Sequence, residues 1–133
     1  MQVTRKSSLY ETEPMYYESQ AWFLNCVVAV ETSLRPRELL DRLQAIEARL
    51  GRRRMSRYGP RVVDLDILFY GGEVVSEAGL EIPHPKLAER QFVLAPLNEI
   101  APDLIHPASG ERVSEMLAGL GPGKQVVRKA ELV

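Results

Sequence analysis

Apolar and polar positions along this chain follow two periods, and the switch between them outlines its elements. Residues 3–10, VTRKSSLY, alternate weakly and predict a strand, ended by a bend at ETEP because the residue before Pro14 is pushed out of helical space. Residues 22–32, WFLNCVVAVET, are rich in aromatic and β-branched types and predict a stronger strand. Leu24, Cys26, Val28 and Val30 fall on one of its faces; Phe23, Asn25, Val27 and Ala29 fall on the other. The period then becomes helical. Pro36 suits a first helical position, Leu39, Leu40, Leu43, Ile46 and Leu50 form one stripe, and Gly51 marks the stop. Gln44 and Glu47 lie about one turn apart on the polar side. After a polar, turn-forming stretch over residues 52–61, Val62 to Tyr70 returns to period two and ends at a glycine pair. GGEVVSEAGLEIPHP then predicts a hairpin with edges around Val74 and Ile82. Short helical pieces broken by Pro96 and Pro102, another short helix in RVSEMLAGLG and a final strand in KQVVRK complete the chain. The order predicts an α+β domain with an antiparallel sheet and helices on one face.

Length and composition narrow this little. The chain has 133 residues, enough for one domain over 1–133 that buries roughly two-thirds of its unfolded surface. With 45% hydrophobic residues, 26% charged and a net charge of -1, bulk electrostatics single out no partner, nucleic acid included. The lone cysteine, Cys26, has no intramolecular disulfide partner and is expected to pack as a small apolar residue in a reducing compartment. No apolar run approaches the roughly 20 residues of a membrane span, and the first residues do not read as a positively charged start leading into an apolar signal core. The expectation is a cytoplasmic protein.

The chemistry concentrates where an arginine-rich stretch meets an apolar strand. In extended chain Asp64 and Asp66 project from one face, roughly 7 Å apart, while Val63, Leu65, Ile67 and Phe69 line the other. Two like charges on one face repel unless something positive lies between them. Magnesium, held by one or two carboxylates plus water and phosphate oxygens, meets that need; pairing with nearby arginines meets it too. Arg49, Arg52, Arg53, Arg54, Arg57 and Arg61 fall within thirteen residues, and only four of the chain's seventeen basic residues are lysine. Arginine suits bidentate recognition of phosphate, although an arginine-rich segment is equally read as a solvated loop. A cationic loop leading into a carboxylate pair has the composition of a polyphosphate site. Phe23 shares a strand face with Asn25, an aromatic plate beside an amide that both donates and accepts, though core packing is the commoner fate of a strand phenylalanine. His84, before a proline, is either a phosphate donor or a loop residue.

Read in order, RYGPRVVDLDIL resembles the signature of the 6-hydroxymethyl-7,8-dihydropterin pyrophosphokinases. SSLYETEP, FLNCVVAVET, LQAIEARLGR and IPHPKLAERQFVLAPLNEIAPDL are similar to further blocks of that family, so the resemblance covers essentially the whole chain. It implies a ferredoxin-like α+β sandwich and transfer of pyrophosphate from ATP to the pterin alcohol in folate biosynthesis, with AMP leaving. It also implies two magnesium ions on Asp64 and Asp66. Arg54, Arg57 and Arg61 resemble the arginines that clamp the phosphates, with Arg54, Arg61, Asp64 and Asp66 as the catalytic set. Gln44, Glu47, His84 and Arg90 resemble nucleotide-side residues. Phe23 and Phe92 resemble the two plates that sandwich the pterin, with Asn25 as its amide partner and the Thr12 loop adding backbone contacts.

Members of the family open with a strand, a Gly-Ser-Asn loop and a helix, and no Gly-Ser-Asn occurs in these residues. The sandwich is therefore expected to lack its first strand and helix and to self-associate through the uncovered sheet. Besides the active enzyme, two other readings stand: a shortened, inactive relative that binds nucleotide or pterin as a partner or regulatory subunit, and a nucleic-acid-binding sandwich. The net charge and the lack of an aromatic RNA-binding strand motif speak against the last.

Overall fold

The computed structural model of the chain describes residues 1–13, 23–53, 63–121 and 127–129. In chain order the elements are β1 (Gln2–Lys6), β2 (Tyr10–Thr12), β3 (Phe23–Asn25), β4 (Val28–Glu31), α1 (Pro36–Arg53), β5 (Val75–Glu77), β6 (Leu80–Ile82), a 3-10 turn (Leu87–Glu89), α2 (Gln91–Ile100), α3 (Val113–Leu120) and β7 (Val127–Lys129). The fold is α+β, as expected, and every strand pairing among the described residues is antiparallel. The chain divides into two units, Met1–Thr32 with Pro85–Val133, and Ser33–His84. Among the described residues no helix is long and apolar enough to cross a membrane.

In the first unit, the segments expected as two unbroken strands are four. β1 pairs with β4 and β2 with β3, and the joint between the two ladders falls at Ser7 and Val27. The Ser7 N–H donates to the Val27 carbonyl at 2.8 Å, while the Ser7 hydroxyl accepts from the Val27 N–H at 2.9 Å and donates to the Ser8 carbonyl at 2.8 Å. A serine side chain that takes over a backbone partner interrupts a ladder, and this one does so on both strands at once. Cys26 sits at the joint and is exposed, not packed as expected, because the face it shares with Leu24 and Val28 is the one turned to solvent, while Asn25, Val27 and Ala29 on the other face are half-buried. All five residues of β1 are exposed, in keeping with its weak alternation.

β7 takes the other edge of β2, giving the order β3-β2-β7, and α2 packs against all three strands. α3 packs on α2 in turn. Among the described residues of this unit, Tyr10, Leu87, Leu94, Leu97, Val113 and Met116 form the buried hydrophobic core, with Pro96 beside them. α2 runs through Pro96, where a break was expected. Proline at that place forfeits the single helical bond to the Phe92 carbonyl, and its ring is fully buried, so burial offsets the loss. α3 starts where the Arg112 N–H donates to the Glu115 carboxylate at 2.9 Å, half of a capping box, and ends at Gly121, whose φ of 66° lies in the region only glycine enters cheaply.

In the second unit, α1 follows its apolar stripe: Leu39 is buried, and Leu40, Leu43, Ile46 and Leu50 are half-buried. It continues two residues past Gly51, the expected stop. The Arg35 N–H donates to Glu38 at 2.9 Å at its start, and Arg37 reaches the hairpin of β5 and β6, donating to the Glu77 carboxylate at 2.9 Å and the Ala78 carbonyl at 2.8 Å. Gly79, with φ of 74°, closes that hairpin, which buries Leu80 and Ile82.

The expected strand from Val62 to Tyr70 is the main departure. Its first residue lies outside the described residues, and residues 63–70 carry no strand ladder. The alternation survives without one: Val63, Leu65 and Ile67 are half-buried, and Asp64 and Asp66 are exposed. Period two reports which way side chains point, whereas a ladder also needs a neighbouring backbone, which the pattern does not supply. The hydrogen bonds of this segment go elsewhere: the Leu68 carbonyl accepts from the His84 N–H at 3.0 Å, and the Tyr70 hydroxyl donates to the Leu34 carbonyl.

Candidate functional site

In the second unit the residues of interest lie on α1 and on the extended segment that follows it. Gln44 and Glu47 share a helix side; Gln44 is exposed and Glu47 half-buried. The Glu47 carboxylate reaches the segment and accepts a hydrogen bond of 2.6 Å from the Leu65 N–H. Leu65 stands between Asp64 and Asp66, so this charge-assisted bond pins the backbone from which both aspartates project. Among the described residues neither aspartate is engaged in a side-chain hydrogen bond or ion pair, and no group of three or more His, Cys, Asp and Glu gathers. Two solvent-facing carboxylates on a fixed backbone suit a cation that keeps most of its coordination for water and phosphate oxygens, not one that needs a closed protein cage. His84 is half-buried. Arg54, Arg57 and Arg61 lie outside the described residues.

In the first unit, Thr12 faces Phe23 and Tyr10 faces Asn25 across the β2–β3 ladder. Thr12 is buried, Asn25 half-buried and Phe23 exposed, so the ring is not consumed by core packing. The Asn25 amide nitrogen donates to the Thr12 hydroxyl oxygen at 2.9 Å. That bond orients the amide, leaving its carbonyl and its second N–H to read a partner that offers a donor beside an acceptor. Arg90 immediately precedes α2, and its guanidinium carbon lies 5.6 Å from the Phe92 ring centroid, within cation–π range. Two expected site residues are thus in contact with each other.

One cluster had no signal in the sequence. The Glu99 carboxylate, near the end of α2, accepts from the Ser8 N–H at 3.1 Å to each oxygen, from the Ser8 hydroxyl at 2.9 Å and from the Tyr10 hydroxyl at 2.9 Å. Its partners lie about ninety residues away, beyond the reach of any period. Desolvation acts to raise the Glu99 carboxyl, but the hydrogen bonds from Tyr10 and Ser8 and the charge of Lys129 outweigh it and hold the group below its usual value. Burial, then the hydrogen bond to Glu99 and its charge, push the Tyr10 phenol up to about 12. An unfolded tyrosine ionises near 10.0, so the unfolded state loses its proton first, and this contribution to stability is lost as pH rises from 10.0 through about 12. Absorbance titration should find one of the five tyrosines ionising near 12, and Glu99→Gln should bring that phenol back toward 10.0. A Tyr10→Phe protein that still shows the late phenol would contradict the assignment.

Comparison with known proteins adds to this geometry. The family model described as 7,8-dihydro-6-hydroxymethylpterin-pyrophosphokinase (HPPK) matches residues 1–102. A 2-amino-4-hydroxy-6-hydroxymethyldihydropteridine pyrophosphokinase of Methylorubrum extorquens is 49% identical over 122 residues, covering 92% of this chain and 76% of that protein. The enzyme of the same name from Bacillus subtilis is 55% identical over 98 residues, 74% of this chain and 59% of that one. A folic acid synthesis protein of Pneumocystis carinii is 49% identical over 110 residues, 83% of this chain; the match spans only 15% of that protein's length. The chain belongs to the 7,8-dihydro-6-hydroxymethylpterin-pyrophosphokinase family.

Proposed function

We propose that the chain transfers the β,γ-diphosphate of ATP to the hydroxymethyl oxygen of 6-hydroxymethyl-7,8-dihydropterin, releasing AMP, as a step of folate synthesis. The observation that carries this reading is the pair of exposed carboxylates, Asp64 and Asp66, on a backbone held by Glu47. The pterin hydroxyl oxygen forms a bond to the β-phosphorus, the bond from that phosphorus to the oxygen bridging it to the α-phosphorus breaks, and AMP leaves with that oxygen. No residue stands out as a general base, and the hydroxyl proton goes to solvent.

The chain's part is positioning and charge. Asp64 and Asp66 would hold two magnesium ions. Magnesium, when bound, neutralises the phosphate oxygens and the charge developing on the transferred group. Arg54, Arg57 and Arg61 clamp the phosphates, and Gln44, His84 and Arg90 bind the rest of the nucleotide. Glu47 acts at that side through the Leu65 N–H, keeping the aspartates in place. Phe23 and Phe92 stack on the pterin faces while Asn25, oriented by Thr12, reads its amide-like edge.

Isothermal titration tests this reading before turnover is measured. Binding of the reduced pterin with an affinity that 6-methylpterin shares and adenine lacks is the expected result; no heat with pterin, alone or with a magnesium–nucleotide complex, would remove the substrate assignment. Glu47→Ala should lower turnover by about tenfold, the worth of one hydrogen bond to a charged group, and raise the magnesium concentration needed for half-maximal rate, leaving the pterin KM unchanged. A pterin KM that rises in Glu47→Ala with an unaltered magnesium requirement would contradict its role beside the aspartates.

A further inference from the structure

None of Glu99, Ser8 and Tyr10 is among the groups proposed to touch substrate; Glu99 is exposed, Ser8 half-buried and Tyr10 buried. A carboxylate that collects hydrogen bonds from Ser8 and Tyr10 joins α2 to the start of β2 more firmly than packing of a three-residue strand requires. Its place on the helix suggests what the joint is for. Phe92 stands seven residues before Glu99, two turns and about 10 Å along nearly the same helix side. Leu94, Pro96 and Leu97, all buried, fill the turns between them, so α2 acts as a stiff bar with Phe92 near one end and Glu99 near the other. Across the ladder from Tyr10 stands Asn25, and two residues along from Tyr10 stands Thr12, opposite Phe23.

We propose that Glu99 is a positioning residue: by gripping Ser8 and Tyr10 it sets the distance and tilt of the Phe92-bearing helix relative to the β2–β3 ladder that carries Thr12, Phe23 and Asn25. The gap between the two aromatic plates, and hence the thickness of the flat ring they accept, is fixed from this remote joint. The inference rests on the pterin reading of those four residues. Stacking falls away within a fraction of an ångström of the best spacing, so a small shift of the bar is felt at the plates.

The test uses Glu99→Ala, Glu99→Gln and Tyr10→Phe in the whole chain. Affinity for 6-hydroxymethyl-7,8-dihydropterin is measured with α,β-methylene ATP and magnesium saturating, and affinity for that analogue is measured separately. In parallel, 19F NMR follows fluorophenylalanine at the chain's three phenylalanines, Phe23, Phe69 and Phe92. Glu99→Ala should weaken pterin binding by about tenfold or more, Glu99→Gln and Tyr10→Phe by less, with nucleotide affinity within about twofold of the parent. The signals of Phe23 or Phe92 should move while that of Phe69 stays. Pterin affinity unchanged in folded variants, or pterin and nucleotide affinities falling together, overturns the proposal. If the parent protein binds no pterin, the functional reading fails, and the ring signals alone decide the joint: unmoved Phe23 and Phe92 signals overturn it. If Glu99→Ala does not fold, the two milder variants carry the same outcomes.

Discussion

Asp66→Ala should lower magnesium-dependent turnover by about a thousandfold while leaving the melting behaviour of the chain almost untouched. The two halves of that expectation come from different parts of the structure. Asp66 is exposed, and among the described residues its carboxylate has no hydrogen-bond or salt-bridge partner, so its removal opens no cavity and orphans no buried group. Changes of that kind usually stay within about 0.5 kcal/mol of the parent. Loss of the repulsion from Asp64 works in the stabilising direction. Turnover, by contrast, is expected to lose a first ligand of the cation that offsets phosphate charge, a contribution of about 4 kcal/mol, which is roughly a thousandfold in rate. Steady-state rates across a magnesium series and a thermal melt decide it. A variant that keeps near-normal, magnesium-dependent turnover removes Asp66 from the metal site; one that loses its fold shows that the carboxylate is structural after all.

Phe92→Ala should raise the pterin KM by about ten- to a hundredfold, the range of one aromatic plate stacked on a flat heterocycle. The ring is half-buried at the start of α2 and carries the Arg90 guanidinium at 5.6 Å, so its loss also frees that arginine. The cation–π contact is worth about 0.5–1 kcal/mol at an exposed site, and the nucleotide KM should therefore shift by severalfold at most. Phe92→Tyr, which keeps the flat ring, should restore most of the pterin affinity. Equal losses for pterin and nucleotide would mark Phe92 as a packing residue, and an unchanged pterin KM would remove it from the site.

Local pattern carried the parts of the fold that local physics decides. α1 was legible because a proline at its first position and five apolar residues on one stripe agree. The β5–β6 hairpin was legible from its glycine-bounded stretch with edges around Val74 and Ile82; Ile82 is buried in β6, whereas Val74 is exposed one residue before β5. Features that depend on distant partners were not. The ladder break at Ser7 and Val27 needs a side-chain hydrogen bond across twenty residues, and which face of the alternation over residues 24–29 is covered, hence the exposure of Cys26, depends on what packs there. Residues 63–70 kept their alternation without a ladder, since pairing needs a neighbour that alternation does not name. α2 passes through Pro96 because tertiary burial outweighs the helix-breaking tendency of one residue.

The candidate site divides along the same line. Asp64 and Asp66 were visible as a spacing that puts two carboxylates on one face, and both are exposed. The bond that pins them, from the Leu65 N–H to Glu47, was not visible, because a helix residue and a residue of the extended segment after it are linked only once both are placed. The same holds for Thr12 and Asn25, both named from the sequence, whose mutual hydrogen bond appears only in the ladder register. Glu99 escaped altogether: one glutamate near the end of a helix, after an apolar run, has no local mark to set it apart from a solvated charge.

The most direct measurement is the product ratio from ATP with the whole chain, followed by 31P NMR with and without 6-hydroxymethyl-7,8-dihydropterin and with and without magnesium. The expected result is AMP and a pterin diphosphate ester in equal amounts, formed only when ATP, pterin and magnesium are all present. Formation of ADP in place of AMP, or AMP release at the same rate without pterin, would contradict pyrophosphoryl transfer by this chain.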